Sequence, residues 1–157
     1  MSKNKSFTVK EATRKMESYC AYQERCHKEV EIRLKEMNLI DLAKEVIILH
    51  LLEHDFLNEE RFSKTFARGK FRIKKWGKQR ITRELRMKSI SDYNIKSALK
   101  EIDDVEYYKT FDELAEKRLL ELNETDVYKK RKKMADYLLY RGWETALVYK
   151  KITELIG

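Results

Sequence analysis

Three groupings of side chains have the types and spacing to do chemistry. His50-Leu51-Leu52-Glu53-His54 reproduces the His-x-x-Glu-His order, in which two imidazoles one helical turn apart hold zinc and a glutamate serves as base. The corresponding reaction would be metal-assisted hydrolysis. The pattern is only five residues long and needs a further ligand and a cleft. The plainer reading places both histidines at the edge of a packed helix. Cys26-His27 also has metal-ligand chemistry, but no two further ligands stand at a sensible spacing from it. Cys20 and Cys26, the only cysteines, are too few for a disulfide framework and read as buried or capping thiols. No phosphate-cradling loop or nucleophile arrangement is present, so neither catalysis nor a cofactor is expected.

The third grouping is the basic block from Arg61 to Lys88, RFSKTFARGKFRIKKWGKQRITRELRMK, with twelve Lys or Arg against one acid, Glu84. The whole chain carries a net charge of +8, so this block exceeds the total. On a helix, Ile81 and Leu85 share one face. Gln79, Arg83 and Arg86 lie roughly opposite, with Arg80 at the edge of that row. Arg68, Arg72 and Lys75 on the preceding helix would extend it. Such a row suits phosphates, whose binding is driven by counterion release, or a carboxylate-rich protein surface. Phe62, Phe66, Phe71 and Trp76 are interleaved with the cations and could stack bases, as in single-strand binders. Phe62 and Phe66, four apart, have core spacing instead, and Trp76 beside Gly77 is placed to plug a helix junction. Residues 101–126 follow with ten acids and three bases. That segment either repels phosphate, confining contact to the basic side, or pairs with the basic block.

Helices must position these groups. The chain has 157 residues, no proline and four glycines, which leaves little turn chemistry for sheets. Charged residues make up 39% of it, well above the usual quarter, which favours slender, exposed helices. The N-terminus lacks the apolar core of a signal peptide and no run approaches a membrane span, so a cytoplasmic protein without membrane contact is expected. Residues 1–7 read as a frayed tail. Asn58, Ser91 and either Thr125 or Asp126 are expected N-caps. The segment from Ile40 to Phe56 reads as a deeply packed helix with Leu42, Val46 and Leu49 in its apolar stripe.

Internal repetition organises the whole. VEIRLKEMNL (30–39), ITRELRMKSI (81–90) and MADYLLYRGW (134–143) superpose Val30, Ile81 and Met134; Leu34, Leu85 and Leu138; and Leu39, Ile90 and Trp143. Asn38, Ser89 and Gly142 precede the last anchor, where a helix C-terminus must enter a left-handed or turn conformation. A short helix follows each block, aligning Ile48, Leu99 and Ile152, and Leu51, Ile102 and Leu155. The reading is all-α, with three tandem three-helix, helix-turn-helix-like repeats in an elongated, curved array. The units are 8–56, 57–103 (basic) and 104–157. The helix after Ser91 is mostly neutral or acidic, which disfavours sequence-specific reading of duplex DNA from a helix-turn-helix corner.

The run FLNEERFSKTFARGKFRIKKWGKQRITRELRMKSI resembles the RecX family of recombinase regulators. The parts that carry the resemblance are Glu60-Arg61-Phe62, Trp76-Gly77, Arg80-Ile81, Glu84-Leu85-Arg86 and Lys88-Ser89-Ile90. RKKMADYLLYRGWETALVYKKI resembles the family's last repeat through Arg141-Gly142-Trp143, and RCHKEV its first, with Cys26 in place of a capping serine. Ser89 stands where glycine is usual, and Lys78 where proline is common. The resemblance implies three tandem three-helix repeats and binding, without catalysis, to the RecA recombinase filament. It further implies contact with single-stranded DNA or the RecA–DNA complex, with inhibition of strand exchange. Arg68, Arg72, Lys74, Lys75, Lys78, Arg80, Arg83 and Arg86 are the expected contacts, and the free chain is expected to be monomeric. The alternative is a general single-stranded nucleic-acid-binding module.

Overall fold

The computed structural model describes residues 6–157, and among them the chain is helical, with no strand. The helices are α1 (Val9–Tyr22), α2 (His27–Lys35), α3 (Asp41–Glu53), α4 (Glu59–Lys74), α5 (Lys78–Met87), α6 (Asp92–Leu99), α7 (Asp104–Glu121), α8 (Val127–Tyr140) and α9 (Thr145–Ile156). Most of the expected tail lies outside the described residues. Of its described part, Phe7 packs against the first core and Ser6 Oγ accepts from Asn38 Nδ2 at 3.3 Å.

Local chemistry starts and stops these helices. Thr8 and Glu11 form a reciprocal capping box on α1, with bonds of 3.1 and 3.0 Å. Asn58 and Ser91 cap α4 and α6 as expected, by accepting from the backbone N–H of Arg61 and Asn94. Of the two candidates before α8, Asp126 is the cap, accepting from Tyr128. Asn38, Ser89 and Gly142 all take positive φ, at 55°, 62° and 89°. After Ser89 and Gly142 the chain reverses through paired bonds. Ile90 donates to the Leu85 carbonyl and Ser89 to Arg86, while Trp143 donates to Leu138 and Gly142 to Leu139. Glycine takes this conformation without steric cost and asparagine tolerates it, so Ser89 is the most strained member of the set.

Helices pack three by three: α1–α3, α4–α6 and α7–α9. The aligned anchors Val30, Ile81, Met134, Leu34, Leu85 and Leu138 are all fully buried. The first repeat has its own core of Met16, Val30, Leu34, Ile47 and Leu51. The second and third share one, built on Phe71, Ile81, Leu85, Tyr107, Phe111, Leu138 and Trp143, with Cys26 the first repeat's contribution. The accessible surface of 10103 Å² exceeds the roughly 8,400 Å² of a compact monomer of this mass. That excess fits an array of small helical units.

The third helix departs from the sequence reading. α3 buries Ala43, Ile47 and Leu51, whereas Leu42, Val46 and Leu49 are 67%, 52% and 56% exposed. Leu42, Val46, Ile47, Ile48, Leu49 and Leu51 give α3 apolar residues around most of its circumference, so periodicity did not single out the inward side. Nor is any helix among the described residues long and apolar enough to cross a membrane.

Candidate partner-binding surface

The basic block folds into α4, α5 and the turn between them, and neighbouring acids claim much of it. Arg61 is structural. Its guanidinium donates to Glu24 Oε2 at 2.6 Å, to Asp55 Oδ2 at 2.9 Å and to the Asp55 carbonyl at 2.9 Å. Arg68 pairs with Glu101 at 3.0 Å, Arg72 with Glu106 at 3.9 Å and Lys78 with Asp104 at 3.5 Å. Of the two roles open to the acidic segment, its first residues thus take that of pairing with the basic block. Arg86 lies 3.6 Å from Asp92, and Lys88 lies 3.5 Å from Glu29 of the first repeat. Pairs as open as Arg72–Glu106 and Arg86–Asp92 stabilise little and can be exchanged for another anion.

Lys74, Lys75 and Arg83 are exposed, and among the described residues no carboxylate lies within ion-pair distance of them. Lys74 and Lys75 stand at the C-terminal end of α4, where the helix dipole favours cations. Arg83 rises from α5 on the side away from the buried Ile81 and Leu85. Fourteen bases against six acids in 57–103 give this repeat +8, a charge equal to that of the whole protein.

Arg80 is placed differently. Half-buried, it lies with its guanidinium carbon 4.2 Å from the Trp76 ring centre and 4.7 Å from that of Tyr140, and donates to the Tyr140 carbonyl. Its Nε is buried without a partner. Arg80 therefore links α5 to the end of α8, and Trp76, covered by it and by Phe66, fills the junction as its place beside Gly77 suggested. Phe62 and Phe71 are buried and Phe66 is partly so, which removes them as open platforms for bases.

Sequence reasoning missed how the second and third repeats are joined. Gly77 N donates to the Arg141 carbonyl at 2.8 Å, Gln79 N to the Gly142 carbonyl at 3.0 Å, and Trp143 Nε1 to the Lys75 carbonyl at 3.1 Å. The buried Tyr107 hydroxyl donates to Glu144 at 2.6 Å and accepts from Lys78 N at 2.8 Å. Burial, reinforced by the Glu144 carboxylate, holds this phenol well above its ordinary pKa. A Cβ on Gly77 would sit 2.4 Å from the Gly142 carbonyl oxygen, and one on Gly142 would sit 2.2 Å from Arg80 Cβ. Trp76-Gly77 and Arg141-Gly142-Trp143, separate in the sequence, are two halves of one contact. Their shared aromatic-and-glycine make-up was the available signal.

The histidine pair sits at the end of α3. His50 Nε2 lies 2.6 Å from Glu17 Oε2 on α1, and the His54 ring lies tilted against His50 with ring centres 4.2 Å apart. Among the described residues no three His, Cys, Asp or Glu side chains gather as a metal site. Cys26 is buried at the start of α2, where its backbone N–H donates to Glu29, and burial pushes both thiols up.

Models of the second and third three-helix domains of RecX match residues 58–99 and 104–152. The regulatory protein RecX of Clostridium acetobutylicum is 28% identical over 134 residues, covering 83% of this chain and 62% of that protein. That of Prosthecochloris aestuarii is 25% identical over 138 residues, covering 88% and 89%. The chain thus spans less than two thirds of the Clostridium relative and most of the Prosthecochloris one. The crystal structure of RecX from Lactobacillus salivarius superposes with a TM-score of 0.79 at 24% identity, over 94% of this chain and 96% of that one, and shows the same fold.

Proposed function

Because this chain belongs to the RecX family of regulatory proteins, we propose that it acts by binding, without catalysis, to a RecA-type recombinase and its DNA filament, and that it mainly inhibits strand exchange. The observation that carries this reading is the set of unpaired cations Lys74, Lys75 and Arg83 on the middle repeat. On the same repeat Arg72 and Arg86 stand in exposed pairs that an incoming anion can compete for, and Arg68 and Lys78 in partly buried ones. Arg80 instead helps to hold the second repeat on the third. The aromatic side chains of the block are committed to packing, which weighs against base stacking on them and for contact with phosphates or carboxylates.

The test is addition of the protein to preformed filaments while ATP hydrolysis and strand exchange are followed. Wild type should suppress both at amounts below one per recombinase protomer. Changing Lys74, Lys75 and Arg83 together to Glu should weaken the effect at least ~30-fold, with helical circular dichroism unchanged, since each lost contact to an anion costs on the order of 1 kcal/mol. Equal binding to bare single-stranded DNA with no effect on filaments would replace this reading with a general nucleic-acid-binding module.

A further inference from the structure

The side of α3 opposite its core carries Leu42, Val46 and Leu49, flanked by the exposed Leu52 and, at the N-cap, Ile40. The internal repeats supply a control. Aligned on the left-handed residues Asn38, Ser89 and Gly142, the stripe becomes Tyr93, Ser97 and Lys100 in the second repeat, and Ala146, Lys150 and Thr153 in the third. Ile40 corresponds to Ser91 and Glu144. Where this face meets solvent in the other two repeats it is largely polar, so the fold does not require leucine and valine there. The five side chains leave on the order of 500 Å² of apolar surface in water, at the upper end for the largest patch of a typical monomer.

We propose that this face docks a second copy of the same chain, α3 against α3 about a twofold axis. The stripe Leu-x3-Val-x2-Leu has nearly the same spacing from either end. An antiparallel copy therefore sets Leu42 opposite Leu49 of the other chain and the two Val46 side chains near the axis, the self-complementarity a twofold interface needs. Doubled, the patch alone reaches ~1,000 Å², the lower bound of a specific interface, before rim residues are added. Charge selects the same end of the molecule. Residues 8–56 hold eight Lys or Arg and ten Asp or Glu, a net −2, whereas 57–103 carry +8. Two copies can meet through their first repeats while the strongly like-charged middle repeats stay clear of the contact. A dimer of this kind departs from the monomer expected of the sequence, and it would present two basic surfaces to one filament.

Sedimentation equilibrium of the full chain, from about 1 to 200 μM, is the test, a range that brackets the affinity expected of an interface this small. A reversible dimer is expected. Val46→Lys, on an exposed position that leaves circular dichroism unchanged, should weaken it at least ~30-fold, as loss of a central interface anchor does. Ile73→Lys, 77% exposed on α4, should leave the dimer intact. A wild-type chain that is monomeric throughout, or a dimer indifferent to Val46→Lys, overturns the proposal. If the wild type is monomeric and Val46→Lys abolishes filament binding, the face belongs to a protein partner and the dimer is refuted. The filament assay with the Lys74, Lys75 and Arg83 variant is independent of this result.

Discussion

Gly77→Ala adds one methyl group where backbone meets backbone. The new carbon would lie 2.4 Å from the Gly142 carbonyl oxygen, 2.6 Å from its carbon and 2.7 Å from Trp143 Cα. Ordinary contact begins at 3.4 Å, and none of these atoms belongs to a flexible side chain, so the junction must open by about 1 Å. Gly77 has φ −79° and ψ 168°, which alanine adopts freely, so the effect is steric rather than conformational. Opening stretches the bonds from Gly77 N and Gln79 N, worth about 1 kcal/mol each, and adds an overpacking cost of about 1–3 kcal/mol. The expected loss is about 3 kcal/mol, or a fall in Tm of about 6–12 °C for a protein of this size. Urea and thermal unfolding followed by circular dichroism measure it. The emission of Trp143, fully buried beside this contact, should shift to the red. Gly69→Ala is the matched control: it lies within α4 with nothing within 4 Å of an added Cβ, and should stabilise by about 0.5–1 kcal/mol. A Gly77→Ala protein within ~0.5 kcal/mol of wild type, with Trp143 emission unmoved, would refute the claim that these glycines set the approach of the two repeats.

Two further outcomes follow from named contacts. Tyr107 has its folded pKa raised, so its contribution is fully present below the ordinary tyrosine value near 10 and is lost as pH rises through the folded value. Unfolding titrated from pH 9 to 12 should therefore fall more steeply for wild type than for Tyr107→Phe, by up to about 1.4 kcal/mol per pH unit, and parallel curves would contradict the assignment. At neutral pH Tyr107→Phe should cost about 1–2 kcal/mol through the lost bonds to Glu144 and Lys78. Arg61→Ala should cost about 1–2 kcal/mol and raise amide exchange in α1–α3 more than in α7–α9, because it removes the donors that tie Glu24 and Asp55 to the middle repeat. Uniform exchange across the chain would show that Arg61 does not fasten the first repeat.

The parts of this architecture written as periodic anchors and end signals were legible. Val30, Ile81 and Met134 superpose in sequence and are equally buried, and Asn38, Ser89 and Gly142 stop their helices in one conformation because each must reverse the chain there. What escaped depended on partners distant in sequence. Arg80 looked like an edge cation of a helical wheel, and only the return of α8 brings Tyr140 onto its other face. Arg68 and Lys78 looked free because Glu101 and Asp104 lie 33 and 26 residues away. α3 failed for another reason. Its apolar residues nearly encircle the helix, and hydrophobicity alone cannot distinguish a core from a face left open.

The two repeat junctions differ in chemistry, and that difference assigns them different mechanical roles. The second and third repeats share an apolar core, backbone hydrogen bonds and two glycines that let their backbones touch, so they are the more firmly joined pair. The first meets the second through Arg61 with Glu24, Lys88 with Glu29, and Lys28 donating to the Met87 carbonyl, with two buried apolar bridges, Cys26 in the shared core and Leu57 in the first. Polar contacts that are part exposed are weakened by salt and exchange readily with water, whereas a buried core does neither. The first repeat is thus the more weakly fastened unit, and the basic surface belongs to the firmly joined pair. High salt should loosen the first repeat before it loosens the rest, visible as earlier exchange in α1–α3, and simultaneous loosening of α1 through α9 would refute this division.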